Sequence, residues 1–179
     1  ILVNANKTLN RVSLDSSTEN IALTYPVNKL FQWNSINNTA LALVRIKGVL
    51  TFAELDLNSG NYRIINDKKV NSAMKNTEGV LVYTDKMYQF WQSGPLEDHQ
   101  IDQLTGQGSD NGFILKGDVI YGINEDFQLW SYALNNKLFN LIGNVSERID
   151  YITDVNQPEI LFTKRIAAKK EIAEIILAD

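Results

Sequence analysis

The stretch LTFAELDLNSGNYRIIN, Leu50 to Asn66, alternates apolar and polar residues, breaks at Asn58-Ser59-Gly60, and resumes the alternation. A period of two marks a strand with one covered face, and a polar, Gly-containing break between two such runs marks a hairpin. Set beneath it, LNRVSLDSSTENIAL from Leu9 puts Leu9 on Leu50, Leu14 on Leu55, Asp15 on Asp56 and Ile21 on Tyr62, an offset of 41 residues. A third version, YQFWQSGPLEDHQIDQL, begins at Tyr88, and a fourth, FQLWSYALNNKLFNLIG, at Phe127. The tail EIAEIILAD from Glu171 starts a fifth. The hairpin is therefore one copy of a repeat.

Between these copies the texture is also β. Ala40–Ile46 (ALALVRI), Gly79–Asp85 (GVLVYTD), Asp118–Asn124 (DVIYGIN) and Glu159–Arg165 (EILFTKR) are short runs of strand formers bounded by Gly, Asn, Asp or Pro. Ahead of them lie weaker strands: KLFQWN, NSAMKN, NGFILK and RIDYIT. Four short strands in about 40 residues is the size and content of a propeller blade. One four-stranded sheet cannot cover both its faces, whereas stacked blades can, and the second strands are apolar at nearly every position, as two-sided burial requires. A β-sandwich would not return the same unit four or five times.

The sequence thus predicts an all-β chain, a β-propeller or propeller segment of four to five four-stranded blades. As one domain over 1–179, the expected blades are 1–26 (partial), 27–66, 67–106, 107–143 and 144–179 (partial). ILVNA at the start is expected to be a second strand whose blade lacks its first. TKRIAAKKEIAEIILAD, 163–179, pulls two ways: its Ala, Lys and Glu favour an amphipathic helix, and the repeat register favours strands. By register the segment is expected to form strands.

Bulk composition narrows function by exclusion. Apolar residues make up 44% and charged residues 21%, a folded rather than disordered balance. A net charge of -4 lacks the clustered Lys and Arg that phosphate contacts need, and Lys68-Lys69 and Lys169-Lys170 read as solvated edges, so no nucleic acid is expected as a partner. The absence of cysteine excludes disulfides and thiolate metal sites. No apolar run approaches the ~20 residues that span a bilayer. The chain opens ILVNANKTLN, without Met or a charged leader, so a membrane tether or targeting segment is expected outside it.

No catalytic constellation is expected. His99 is the sole histidine, with no Cys and no Gly-x-Ser-x-Gly elbow to pair with it, and it sits in a polar turn. Glu97, Asp98 and Asp102, Glu125-Asp126 and Asp150/Asp154 could in principle do glycosidase chemistry or hold Ca²⁺, but no Asp-x-Asp-x-Asp-Gly loop exists and solvated turns explain them. GQGSDNG, Gly106–Gly112, has neither phosphate-loop spacing nor a following helix, and reads as a blade connection. Trp91 and Trp130 lie 39 residues apart at matching places in the repeat. Repeated packing between blades accounts for them, with an aromatic rim for a partner as the functional alternative. Trp91, His99 and Trp130 are the candidate partner-surface or sensing residues, with no cofactor and no metal expected.

Phe31–Asn66 resembles a TolB-like propeller blade. That family runs Trp-Ser-Pro-Asp-Gly, an apolar strand, a strand ending in Asp, a Gly-containing turn and a last strand. Trp33-Asn34-Ser35 through Asn38 stands in for the first turn, Ala40–Val44 for the apolar strand, and Leu55-Asp56 with Gly60 for the outer hairpin; the Pro and Gly of the first turn are missing. Motifs of Trp-Asp repeats and kelch repeats are absent. The resemblance implies a periplasmic or otherwise extracytoplasmic module that binds a protein partner or a small signal molecule. It is similar to the sensory domain of CadC- and ToxR-type membrane-anchored winged-helix regulators. It also implies two alternatives, the accessory propeller of a prolyl-oligopeptidase-like hydrolase and a carboxylate-based glycosidase. An incomplete ring would leave strand edges through which the chain could form a homodimer.

Overall fold

The structure, a computed structural model, describes residues 1–145, 149–156, 159–166 and 169–176. Among these, every regular element is a β-strand except one 3-10 turn at Asp102–Leu104. The chain divides into two compact units, 1–73 and 74–179.

The first unit opens with a three-stranded sheet, β1 (Leu2–Ala5), β2 (Thr8–Val12) and β3 (Thr18–Ile21). ILVNA thus supplies β1, an edge strand of this sheet, paired with β2 from Leu2↔Arg11 to Ala5↔Thr8. A four-stranded antiparallel meander follows, β4 (Val27–Asn34), β5 (Thr39–Ile46), β6 (Val49–Asp56) and β7 (Tyr62–Asn66). LTFAELDLNSGNYRIIN is the β6–β7 hairpin, paired from Phe52↔Asn66 to Leu55↔Tyr62 with a bulge after Phe52. Its turn is built locally: Asp56 Oδ1 accepts the Asn58 N–H at 2.9 Å, and the Gly60 N–H reaches the Asp56 carbonyl at 2.9 Å. Gly60 has φ +72°, and a Cβ there would lie 2.5 Å from the Ala22 carbonyl oxygen, so conformation and space both demand glycine.

β5 explains why the sheets stack. Ala40, Ala42 and Val44, each at most 2% exposed, point into one core with Leu9, Ile21, Val27, Ala53 and Leu55. Leu41 and Leu43, on the other face, are also buried. Small residues on the first face let the two sheets of the unit close on each other, with Trp33, Tyr25 and Leu30 filling the margins.

In the second unit β8 (Val70–Lys75), along which the chain enters it, leads into β9 (Leu81–Asp85), β10 (Phe90–Gln92) and the two-residue β11 (His99–Gln100). The next meander is β12 (Phe113–Lys116), β13 (Val119–Ile123), β14 (Gln128–Ala133) and β15 (Leu138–Asn144). A last sheet joins β16 (Ile149–Asn156), β17 (Glu159–Ile166) and β18 (Lys169–Ile176). Phe90, Leu104, Phe113, Ile120 and Trp130 form one core between consecutive sheets; Tyr121, Leu129, Ile152, Ile160 and Phe162 form the next. On β12 the Leu115 N–H donates to the Met74 sulfur at 3.4 Å.

The helix–strand conflict resolves as a strand over the described part of 163–179. β18 pairs with β17 from Glu159↔Ile176 to Ile166↔Lys169, so a complete ladder outweighs helix propensity. One equivalence from the 41-residue offset fails. β2 ends at Val12, and the Ser13 N–H bonds the Ser17 carbonyl at 3.0 Å, whereas β6 continues to Asp56. Leu55 is therefore core at 3% exposure, and Leu14, its counterpart by offset, stands on a turn fully in solvent.

Candidate functional site

One end of the second unit is built from two copies of a single turn. At β9–β10 the Asp85 N–H bonds the Gln89 carbonyl at 3.1 Å and the Tyr88 N–H bonds the Asp85 carbonyl at 3.0 Å. At β13–β14, Asn124, Phe127 and Gln128 repeat both bonds at 3.1 Å. Each is a three-residue hairpin loop whose third residue is left-handed: φ is 59° at Tyr88 and 56° at Phe127. That conformation costs a non-glycine residue roughly 1–2 kcal/mol, and the side chain that starts each turn offsets it. Asp85 Oδ1 accepts the Met87 and Gln89 N–H groups at 2.8 and 3.1 Å. Asn124 Oδ1 accepts those of Asp126 and Gln128 at 3.1 and 2.9 Å. Between the anchors, Lys86-Met87 in one turn stands where Glu125-Asp126 stands in the other. Met87 is 67% exposed.

The crossover Gly106–Gly112 packs onto the same end. Asn124 Nδ2 donates to Gln107 Oε1 at 3.2 Å, Ser109 Oγ donates to the Ile123 carbonyl, and the Tyr88 hydroxyl donates to Asp110 Oδ1 at 2.6 Å. That last bond raises the Tyr88 phenol above its ordinary pKa. A Cβ on Gly108 would lie 2.0 Å from the Tyr88 carbonyl oxygen. Gly108 of GQGSDNG thus serves close packing of a connection, and Gln107, Ser109 and Asp110 are bonded within the protein.

Trp91, His99 and Trp130 do not come together. Trp130 is 0% exposed; its Nε1 donates to the Gln107 carbonyl at 3.2 Å, with Phe90 edge-on at 5.5 Å and Phe139 stacked at 6.0 Å. It is core, and presents nothing to a partner. Trp91 is half-buried, and its Nε1 donates to Asp85 Oδ2 at 3.1 Å. The two differ because of the residue across the strand: Trp130 faces Gly122 and lies over its Cα, whereas Trp91 faces Tyr83. His99 is exposed and pairs with Gln92, which puts it on the opposite face of its sheet from Trp91.

The carboxylates are dispersed. Asp98 Oδ2 accepts the Tyr83 hydroxyl at 2.6 Å, Asp154 lies 3.4 Å from Lys116 Nζ, and Glu125-Asp126 occupy a turn tip. The side chain of Asp150 lies outside the described residues. Among the described residues no three His, Asp or Glu converge as metal ligands would. In the first unit a cleft of about 340 Å³ lies between the β1–β2 turn and the connection 22–26, with Lys7, Asn20 and Tyr25 on its walls. The end-on turns were missed in the sequence, although DKMYQFW at Asp85 over NEDFQLW at Asn124 shows their framework at an offset of 39.

By sequence the chain matches no family profile and no curated protein. Among solved structures it is similar to a putative TolB from Agrobacterium tumefaciens (TM-score 0.76, 11% identity, 98% of this chain and 72% of that one). It is also similar to TolB from Acinetobacter baumannii (TM-score 0.69, 12% identity, 96% of this chain) and to a chain of the nidogen–laminin complex (TM-score 0.68, 9% identity, 96% and 72%). The chain spans 49% of the Acinetobacter protein. At these identities the likeness shows the fold alone, and the fold is that of a β-propeller.

Proposed function

We propose that the chain is a non-enzymatic recognition propeller, the extracytoplasmic sensory or docking domain of a membrane-anchored bacterial regulator. One observation carries the recognition role. In the second unit the turn framework repeats (Asp85/Asn124, Tyr88/Phe127, Gln89/Gln128) while the tip residues change from Lys86-Met87 to Glu125-Asp126. A constant scaffold with variable, exposed, pre-ordered tips is how loops on a rigid fold select a partner, because the ordering cost is met on folding. The occurrence of a similar fold in the nidogen–laminin complex supports protein recognition as an office of this architecture. The resemblance of Phe31–Asn66 to TolB-like blades supports an extracytoplasmic setting.

A photo-crosslinking residue placed at Met87, and separately at Leu96 on the β10–β11 turn, tests recognition in the native host. One protein trapped from position 87 and not from 96 is the expected result; equal trapping at both, or none at either, refutes it. The regulator reading is tested by the complete reading frame. A winged helix and one membrane-spanning helix upstream are expected, and a downstream α/β-hydrolase domain would overturn it.

A further inference from the structure

We propose that the turn end of the first unit around Leu14 and Ile36 is a docking surface for a protein segment that combines aliphatic or aromatic side chains with lysine or arginine. It uses none of the residues of the recognition end described for the second unit, so either can fail without the other.

The surface exists because the β2–β3 hairpin closes early. Leu14 is fully exposed and Ile36, on the β4–β5 turn, is 87% exposed. Single exposed aliphatic residues are common on proteins. These two differ in being held at fixed places. The Leu14 turn is closed by the Ser16 N–H on the Ser13 carbonyl at 3.1 Å and by Asp15 Oδ1 accepting the Ser17 N–H at 2.9 Å. Ile36 donates its own N–H to Asn34 Oδ1 at 3.0 Å, and Asn37 donates to the same oxygen at 3.1 Å. Arg11, on β2, then ties the strands of the β2–β3 hairpin to the β4–β5 turn. Its Nη1 donates to Glu19 Oε2 at 3.1 Å and its Nη2 to Asn38 Oδ1 at 2.9 Å. Asn38 in turn bonds Asn58 on the β6–β7 turn. Two apolar studs on one hydrogen-bonded platform lose little freedom when a partner covers them.

Charge selects the occupant. Asp15 and Asp56 lie on turns at this end, and Glu19, also here, is matched by Arg11. Hydrogen bonds from Ser17 and Ser59 hold the Asp15 and Asp56 carboxyls below the usual carboxylate range, so both are charged at neutral pH. The nearby cations are already matched: Arg11 lies 3.1 Å from Glu19, and Arg63 lies 2.7 Å from Glu54. Exposed aliphatic turn tips can also enter a lipid interface, but that mode recruits basic residues to anionic headgroups, and here the rim is acidic. An acidic rim around apolar studs fits a basic, apolar segment.

The test presents the full chain to a random-peptide display library, with a Leu14→Asp/Ile36→Asp variant and a Val49→Asp variant compared in parallel. Val49 is 59% exposed at the opposite end of β6. The expected peptides pair Leu, Ile or Phe with Lys or Arg, bind wild type and Val49→Asp alike, and bind the double variant about tenfold more weakly or worse. The proposal is overturned if no peptide is selected, if the selected peptides lack basic residues, or if the double variant binds as well as wild type. Cosedimentation with phosphatidylglycerol vesicles that depends on Leu14 and Ile36 also overturns it. Far-UV circular dichroism checks that the variants fold, and Leu14→Ser/Ile36→Ser gives the same readout without adding charge.

Discussion

Gly122→Ala is expected to destabilise the second unit, although alanine for glycine in a strand ordinarily stabilises by about 0.4–1 kcal/mol through the unfolded chain. A Cβ at position 122 would lie 2.2 Å from Trp130 Cζ2, 2.6 Å from Cε2 and 2.9 Å from Cη2. The indole cannot yield freely. Phe139 stacks on it, Phe90 abuts its edge, its Nε1 bonds Gln107, and it has no exposed surface. Overpacking of this kind costs about 1–3 kcal/mol, and straining the Nε1–H···O bond adds about 1 kcal/mol. After the unfolded-state gain the net loss is about 2 kcal/mol. With a urea m-value near 2 kcal/mol/M, the midpoint followed by circular dichroism falls by about 1 M. Gly143→Ala on β15 is the internal control, since nothing lies within 4 Å of the added carbon, and it should leave the midpoint unchanged or slightly raised. In a Trp130→Phe background the penalty at 122 should shrink, giving a coupling of at least about 0.5 kcal/mol. A Gly122→Ala midpoint at or above wild type would refute the assignment of Gly122 as the seat of Trp130.

Gly60→Ala should lower the melting temperature more than Gly48→Ala. Both glycines have positive φ, but only at Gly60 does a backbone atom, Ala22 O at 2.5 Å, block the Cβ; equal losses would show that space plays no part. Asp56 has a lowered pKa, first through the Ser59 hydroxyl. Its stabilisation is therefore present above the unfolded value of about 3.9 and is lost as pH falls through the folded value. Ser59→Ala should raise the Asp56 pKa in an NMR carboxyl titration, and no movement would refute the hydroxyl as the main cause. Tyr88 has a raised pKa, first through Asp110. Its contribution is complete below about 10 and is lost as pH rises through the folded value. Asp110→Asn should bring the phenol back toward its ordinary value in an ultraviolet titration, and an unchanged value would exclude that bond.

Strand positions were legible because each central strand announces itself. ALALVRI, GVLVYTD and DVIYGIN carry apolar residues on both faces, and each became a strand buried on both sides. Segment 169–176 was harder, since its own composition favours a helix and only pairing with β17 decides the matter. The recognition surfaces were less legible for a different reason. Trp91 and Trp130 occupy the same repeat position, and their unlike burial follows from Tyr83 or Gly122 across the ladder, a difference visible only once strands are paired. Leu14 misled the offset comparison because hairpin length is not conserved between copies. The turn caps Asp85 and Asn124 could have been seen in the heptads that begin with them, but hydrophobic periodicity does not weigh a side chain bonded to its own backbone.

Every hydrogen-bonded neighbour within these sheets is also a neighbour in sequence, from β1-β2-β3 to β16-β17-β18. Ladder formation therefore closes only short loops, and only the stacking of whole sheets needs distant parts of the chain to meet. For an all-β protein this lowers contact order and favours rapid folding. A ribosome extending the chain would release each meander as a piece able to pair with itself before the next had been made.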